Sequence, residues 1–298
     1  MRATVLEARD LSLGVRMADM VELTKPRITL MVVVTAGIGL LLASGGRVPM
    51  ATVLHALFGT GLVAAGSAAL NHVLERDIDA LMRRTANRPL PAGRMDPDLA
   101  LTIGVGLAVA GLVELTLGVN LLTALLGAAA LAGYLFVYTP LKKISPLATV
   151  VGAVPGAIPP MMGWAAVTES LDPGAWALFA ILFLWQLPHF LAIAWMCRED
   201  YARAGFPMLP VIQPDGRSTA RQMVLYGAAL LPVSLLPSAL GLTGSTYFLG
   251  AMGLGLFFLA MCVAFAVSLS ALAARRVLLT SVLYLPAVLA VMVLDRVA

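Results

Sequence analysis

Charge is what this sequence has least of. Asp, Glu, Lys and Arg together make up 12% of its 298 residues, about half the share usual in soluble domains. That excludes a free soluble protein, which must wrap its core in polar surface. Cysteine is scarce as well. Cys197 and Cys262 are too few and too far apart in sequence for a disulfide framework or a zinc site, and they read as small buried apolar side chains. No Ser/His or Cys/His arrangement suited to nucleophilic catalysis is present. The opening residues, up to Arg27, hold no apolar run followed by a small-residue cleavage site. They read as a cytoplasmic tail with a short interfacial helix, not as a signal peptide.

What is abundant is apolar. Hydrophobic residues make up 60% of the chain and its mean hydropathy is +0.93. The apolar residues gather in runs of about 20, each long enough to cross a ~30 Å hydrocarbon layer. Nine spans are predicted, roughly 26–45, 50–72, 98–117, 119–138, 148–167, 174–196, 219–240, 246–271 and 277–295. The chain is therefore expected to be an all-α polytopic membrane protein, with a tail over 1–25 and a single domain over 26–298.

The basic residues are distributed very unevenly. Arg2, Arg9, Arg16, Lys25 and Arg27 precede or open the first span, and Arg76, Arg83, Arg84, Arg88 and Arg94 follow the second. Lys142 and Lys143 follow the fourth, Arg198, Arg203, Arg217 and Arg221 lie between the sixth and seventh, and Arg275 and Arg276 between the eighth and ninth. Only Arg47 and Arg296 fall on the opposite side. The positive-inside rule then puts the N-terminus in the cytoplasm and the C-terminus outside a bacterial inner membrane. This asymmetry also accounts for the net charge of +4 and the isoelectric point near 9.3, so no nucleic-acid partner is implied.

Residues 71–94, NHVLERDIDALMRRTANRPLPAGR, hold three acids and five arginines. Asn71, Glu75 and Asp79 recur every four residues and fall within about 80° of one another on a helix. Topology does not call for carboxylates at helical spacing, and acids at a membrane edge are costly, so this stripe is read as functional. Hard cations such as Mg²⁺ take oxygen ligands and are often held by one or two carboxylates plus substrate phosphates. Arginine forks match phosphate oxygens in pairs. Asp77 points away from the stripe and is expected to pair with a nearby arginine.

A second charged segment, 185–211, carries Arg198, Glu199 and Asp200 at the same membrane edge. His189 lies about ten residues, or ~15 Å of helix, from these acids. It is read either as a hydrogen-bond partner between helices or as a ligand. His72 beside the first motif is expected to support it, and His55 to be structural. The prolines and glycines of 138–164 are expected to break the fifth span where it lines a cavity. A transporter with a charged inner vestibule is a rival reading, but it requires charges near the bilayer midplane, where these spans have essentially none.

The same residues resemble the UbiA-type intramembrane prenyltransferases, whose first signature, N-x-x-x-D-x-x-x-D, is matched by Asn71, Glu75 and Asp79, with Glu in the middle place. Within them the chain is similar to the branch acting on heme, through ELTKPRI (22–28), ERDIDALMRRTANRPLP (75–91), YTPLKK (138–143), GAIPPMMGW (156–164) and WQLPHF…EDYARAGFPMLPV (185–211). The resemblance implies nine helices around a central cavity open to the cytoplasm. It also implies Mg²⁺-assisted loss of diphosphate from farnesyl diphosphate, and farnesyl transfer with water addition to a vinyl group of heme B, giving heme O. Heme B is then a substrate and not a cofactor. The metal ligands implied are Asn71, Glu75, Asp79, Glu199 and Asp200. Arg76, Arg83, Arg84, Arg88, Lys142, Lys143 and Arg198 would hold the diphosphate, with His189 and Tyr138 on the acceptor side. Many relatives carry a second D-x-x-x-D, whereas this chain has only Glu199–Asp200. An aromatic or quinone-precursor acceptor is the alternative, and a downstream heme-modifying enzyme or terminal oxidase assembly is a candidate partner.

Overall fold

The computed structural model describes residues 17–45 and 48–297. Among them, nine helices are long and apolar enough to cross a membrane. These are α1 (Pro26–Ala43), α2 (Met50–Asp79), α3 (Pro97–Gly118), α4 (Leu121–Leu141), α5 (Ala148–Thr168), α6 (Pro173–Met196), α7 (Arg217–Ala239), α8 (Ser245–Ser268) and α9 (Ala271–Leu294). The only β pairing among the described residues is a single antiparallel bridge between Thr243 and Arg296. Arg2, Arg9, Arg16, Arg47 and most of the predicted tail lie outside the described residues.

Two helix ends differ from the hydropathy reading. Helix α2 runs to Asp79, not to 72, because Asn71–Asp79 contains no Pro or Gly and stays helical after it stops being apolar. At 30 residues it is about 45 Å long. Helix α9 starts at Ala271, capped by Ser270, whose side chain accepts from the Ala273 amide at 3.2 Å. Arg275 and Arg276 therefore sit in its first turns and not in a loop. Asp96 and Asn120 cap α3 and α4 in the same way, each satisfying one of the amides a helix start leaves unpaired.

Sequence breakers bend the helices that face the charged end. Helix α5 is interrupted at Ile158, between Ala148–Ala157 and Pro159–Thr168, where the prolines remove donors from the ladder. Helix α4 passes through a π-helical turn at Gly133–Tyr138, a rare geometry that recurs at functional sites. Helices α1 and α5 cross backbone to backbone. A Cβ on Gly163 would overlap the Ala36 carbonyl, and one on Gly39 would overlap that of Pro160.

The largest apolar core lies among α5–α9 and includes fully buried Tyr247, Phe258 and Phe265. Three of its hydroxyl-bearing side chains are linked: the Tyr247 hydroxyl donates to the Ser234 carbonyl at 2.7 Å, and Ser234 Oγ lies 2.7 Å from the Tyr284 hydroxyl. On the outside, Leu117, Phe136, Val267, Leu283 and Leu294 are exposed, as contact with hydrocarbon requires. Part of the segment read as a tail belongs to the packed structure. Residues 17–23 form a helix whose Leu23 is fully buried against Ala69, Leu90, Met95 and Ala100. Cys197 and Cys262 are both free thiols.

Candidate active site

The last two turns of α2 build the site. Asn71, Glu75 and Asp79 are 2%, 3% and 1% exposed, and all three line a cavity of about 240 Å³ at the charged end of the bundle. The helical spacing puts them on one face, and three different segments bring a cation to each. Lys25 Nζ donates to Asn71 Oδ1 at 2.9 Å. Lys142 Nζ donates to Glu75 Oε1 at 2.9 Å and Oε2 at 3.3 Å. Arg88 Nη1 donates to Asp79 Oδ2 at 2.6 Å. The amide of Asn71 is oriented from its other side, where Nδ2 reaches Thr139 Oγ1 at 3.3 Å. Each acceptor that could bind a metal thus faces a cation that could bind an anion.

Lys25 is held in a strained conformation, with φ +46°. A lysine rarely adopts this left-handed region, at a cost of about 1–3 kcal/mol. Pro26 opens α1 directly after it, and the turn aims the lysine into the cavity. Burial, together with the Arg88 guanidinium, pulls the Lys25 ammonium down to about 7 against the carboxylates that favour its charge. Lys142 goes the other way. Burial alone would depress it, but Tyr138 and Glu75 outweigh burial and hold it above its ordinary value.

An aromatic wall completes the cavity. Tyr134 and Tyr138, stacked with centroids 5.5 Å apart, both line it from the π turn. Lys142 Nζ sits 5.5 Å from the Tyr138 ring centre and 5.0 Å from that of Phe206. Tyr201, from the short helix Arg198–Arg203, receives Arg84 over its ring at 5.3 Å and at its hydroxyl at 3.4 Å. Burial pushes the Tyr201 phenol up, so it remains a neutral donor. Ile28, Phe190, Ile193 and Met208 make the rest of the lining apolar.

Of the residues singled out in sequence, Asn71, Glu75, Asp79, Arg84, Arg88, Lys142 and Tyr138 meet here. The others lie elsewhere. Arg76 is exposed and pairs with Asp77 at 3.3 Å, one residue along the helix and so about 100° off the stripe. Arg83 is exposed and contributes its backbone amide to Asp200 Oδ1 at 3.3 Å. Lys143 points outward next to inward-facing Lys142. Arg198 is exposed and stacks on Trp195 at 4.6 Å. Glu199 is exposed, and Asp200 is taken by Arg203. The two acids of this segment do not join the α2 stripe, and among the described residues no three His, Cys, Asp or Glu side chains converge.

The histidines separate in the same way. His189 does not line the cavity, although its neighbour Phe190 does. It stacks on Trp185 at 5.2 Å and its Nδ1 lies 2.7 Å from Ser281 Oγ on α9. His72 is buried with neither ring nitrogen hydrogen-bonded, and His55 pairs with Glu114 at 2.6 Å near the far end. Lys25, Tyr134 and Tyr201 are cavity residues that sequence reading did not single out. For Lys25, the available signal was a lysine placed directly before a helix-opening proline.

Two carboxylates and one amide oxygen on a single face are the donor set Mg²⁺ takes when phosphate oxygens and water supply the remainder. The site residues fit such an ion. The three cations fit a polyphosphate that would draw them off the carboxylates. A protoheme IX farnesyltransferase from Solibacter usitatus is 53% identical over 94% of this chain and 99% of its own length. Among solved structures, a digeranylgeranylglyceryl phosphate synthase superposes with a TM-score of 0.79 at 18% identity, over 94% of this chain and 98% of its own. A UbiA homolog from Archaeoglobus fulgidus, bound to GPP and Mg²⁺, superposes at 0.63 and 15% identity, over 92% and 99%. These likenesses agree on a fold of membrane-crossing helices, and residues 31–285 match the UbiA prenyltransferase family: this chain is an integral membrane enzyme that belongs to that family.

Proposed function

We propose that the enzyme transfers the farnesyl group of farnesyl diphosphate to a vinyl group of heme B, with Mg²⁺ as the metal. The observation that carries the reading is the pairing of Asn71, Glu75 and Asp79 with Lys25, Lys142 and Arg88 around one cavity. The heme acceptor is supported by the likeness to protoheme IX farnesyltransferases such as that of Solibacter usitatus. Mg²⁺, held by Asn71, Glu75 and Asp79, would supply Lewis-acid stabilisation of the charge developing on the leaving group.

The chain's own residues do the rest. Lys25, Lys142, Arg84 and Arg88 bind the diphosphate oxygens and take up negative charge as the allylic C–O bond breaks. Ile28, Phe190, Ile193 and Met208 exclude water from the allylic cation. Tyr134 and Tyr138, which line the cavity, would stabilise that cation through their ring electrons. A vinyl carbon of heme B then attacks the allylic carbon. Water adds to the new cation beside the ring and loses a proton, leaving a hydroxyethylfarnesyl group and free diphosphate. Incubating purified protein with heme B, farnesyl diphosphate and Mg²⁺ should give this adduct by mass spectrometry. Heme B left unchanged, with farnesylation of an aromatic or quinone precursor supplied in a parallel incubation, would replace heme as the acceptor.

We assign His189, which lies outside the cavity lining, to the heme side. Ser281 Oγ donates its proton to the Leu278 carbonyl at 2.6 Å, so at the 2.7 Å contact with His189 it acts as acceptor. That puts the imidazole proton on Nδ1 and leaves the Nε2 lone pair for iron. His189→Ala should shift the Soret band and weaken heme binding while leaving farnesyl diphosphate affinity unchanged. An unaltered heme spectrum in the folded variant removes the ligand role.

The charged end is placed on the cytoplasmic side of an inner membrane, on the strength of the distribution of Lys and Arg. A cysteine substituted at exposed Lys143 should react with an impermeant reagent from the cytoplasmic side only. Labelling from the outside inverts the topology.

A further inference from the structure

We infer that Arg94, which lies outside the cavity, is a positioning residue that sets Lys25 against the diphosphate; the inference rests on reading the cavity as a prenyl diphosphate site. Arg94 does not line the cavity; it lines a separate depression on the loop that joins α2 to α3. From there its guanidinium bridges two segments. Nε donates to Asp19 Oδ1 at 2.9 Å and Nη2 to Glu22 Oε2 at 3.2 Å, both on the helix over 17–23. Nη1 donates at 2.6 Å to the carbonyl of Asn87, the residue immediately before Arg88. The Arg94 amide is tied into the same loop through the Pro89 carbonyl at 2.9 Å.

The geometry makes this more than a surface ion pair. Asp19 is 3% exposed, and its second oxygen, Oδ2, has no hydrogen-bond partner. Arg94 is therefore its main compensation, and a buried carboxylate that loses its cation is costly. The helix it holds ends at once in the strained turn. The Lys25 amide donates to the Glu22 carbonyl at 3.1 Å, and φ at Lys25 is +46°. A residue in that region persists only where its surroundings over-determine it. The connection then runs from Arg94 through Asp19 and Glu22 to the backbone of Lys25, and from Lys25 Nζ to Asn71 Oδ1 at 2.9 Å. Because the other arm of Arg94 grips the peptide before Arg88, one side chain fixes the spacing between two cations that would grip the same diphosphate. A lysine at 94 would present all its donors from one nitrogen and lacks the planar fork that spans Asp19, Glu22 and the Asn87 carbonyl together.

The test is a double-mutant cycle on the full-length protein in nanodiscs, reading equilibrium binding of farnesyl diphosphate with Mg²⁺. Asp19→Asn and Glu22→Gln loosen the clamp with little change of shape, and Arg94→Lys removes the fork but keeps the charge. Each should weaken binding by about tenfold, as displacement of a binding group does, with heme B affinity unchanged. In a Lys25→Met background the first two should have less than a twofold effect, because the residue they act through is gone. Effects that multiply with that of Lys25→Met, or an unaltered affinity in the Asp19 and Glu22 variants, overturn the inference. Glu22 is exposed, so its variant keeps the test decisive should Asp19→Asn fail to fold. Wild-type protein that binds neither farnesyl diphosphate nor inorganic diphosphate with Mg²⁺ overturns the functional reading itself, a result distinct from a failed cycle.

Discussion

Asp79→Asn is expected to reduce kcat by about 10²–10³-fold, the range for losing one preorganised charge-stabilising group in a buried site. The substitution keeps the shape of the side chain and removes its charge. Asp79 is 1% exposed and stands at the end of α2 where metal and diphosphate would meet. Its loss therefore removes a ligand and also leaves Arg88, now 2.6 Å from a carboxylate, facing a neutral amide. Arg88 can still bind diphosphate, so the KM for farnesyl diphosphate should change far less than kcat. Wild-type kcat at saturating Mg²⁺ would make the stripe a structural feature only. Glu75→Asp should remain active, because Asp is the residue the family signature has at that place.

Lys142→Met should be the most destabilising single change at the site. Lys142 and Glu75 are both buried and 2.9 Å apart, and removing one partner from a buried pair costs roughly 3–5 kcal/mol because the remaining charge is stranded. Adding Glu75→Gln should restore most of that stability, since no charge is then left unpaired. It should not restore turnover, because one group proposed to hold the metal and one proposed to bind the diphosphate are then both missing. Thermal unfolding in detergent against product formation separates the two effects. A double variant no more stable than Lys142→Met would mean that Lys142 contributes through packing on Tyr138 and Phe206 and not through charge.

Much of the fold was legible because hydrocarbon imposes a simple rule, and each span satisfies it independently of the others. The α2 stripe was legible for a related reason: helical periodicity carries through the point where hydropathy drops, so Asn71, Glu75 and Asp79 could be placed on one face without knowing the tertiary structure. Its partners were not legible in the same way. After Asp79 the chain turns repeatedly through residues 80–96, and such a segment has no period. Nothing in the order of the five arginines says that Arg84 and Arg88 reach the cavity while Arg76 and Arg83 do not. Lys25 looked like one more topogenic charge until the antiparallel return of α2 set it beside Asn71. The acids at 199–200 illustrate the converse. They share an edge with the stripe in projection, but Arg203 and the turn at Arg83 take up Asp200.

The length of α2 has a thermodynamic consequence. Thirty residues span about 45 Å, well beyond a ~30 Å hydrocarbon layer; with the charged stretch from Asn71 to Asp79 as the part left over, the end carrying Asp79 would stand level with the headgroups. On the function proposed above, diphosphate released there would enter bulk water directly and would not have to partition through lipid. Its hydrolysis in that compartment can then pull the transfer forward, and the reverse reaction becomes limited by how fast free diphosphate is cleared, not by anything the protein does.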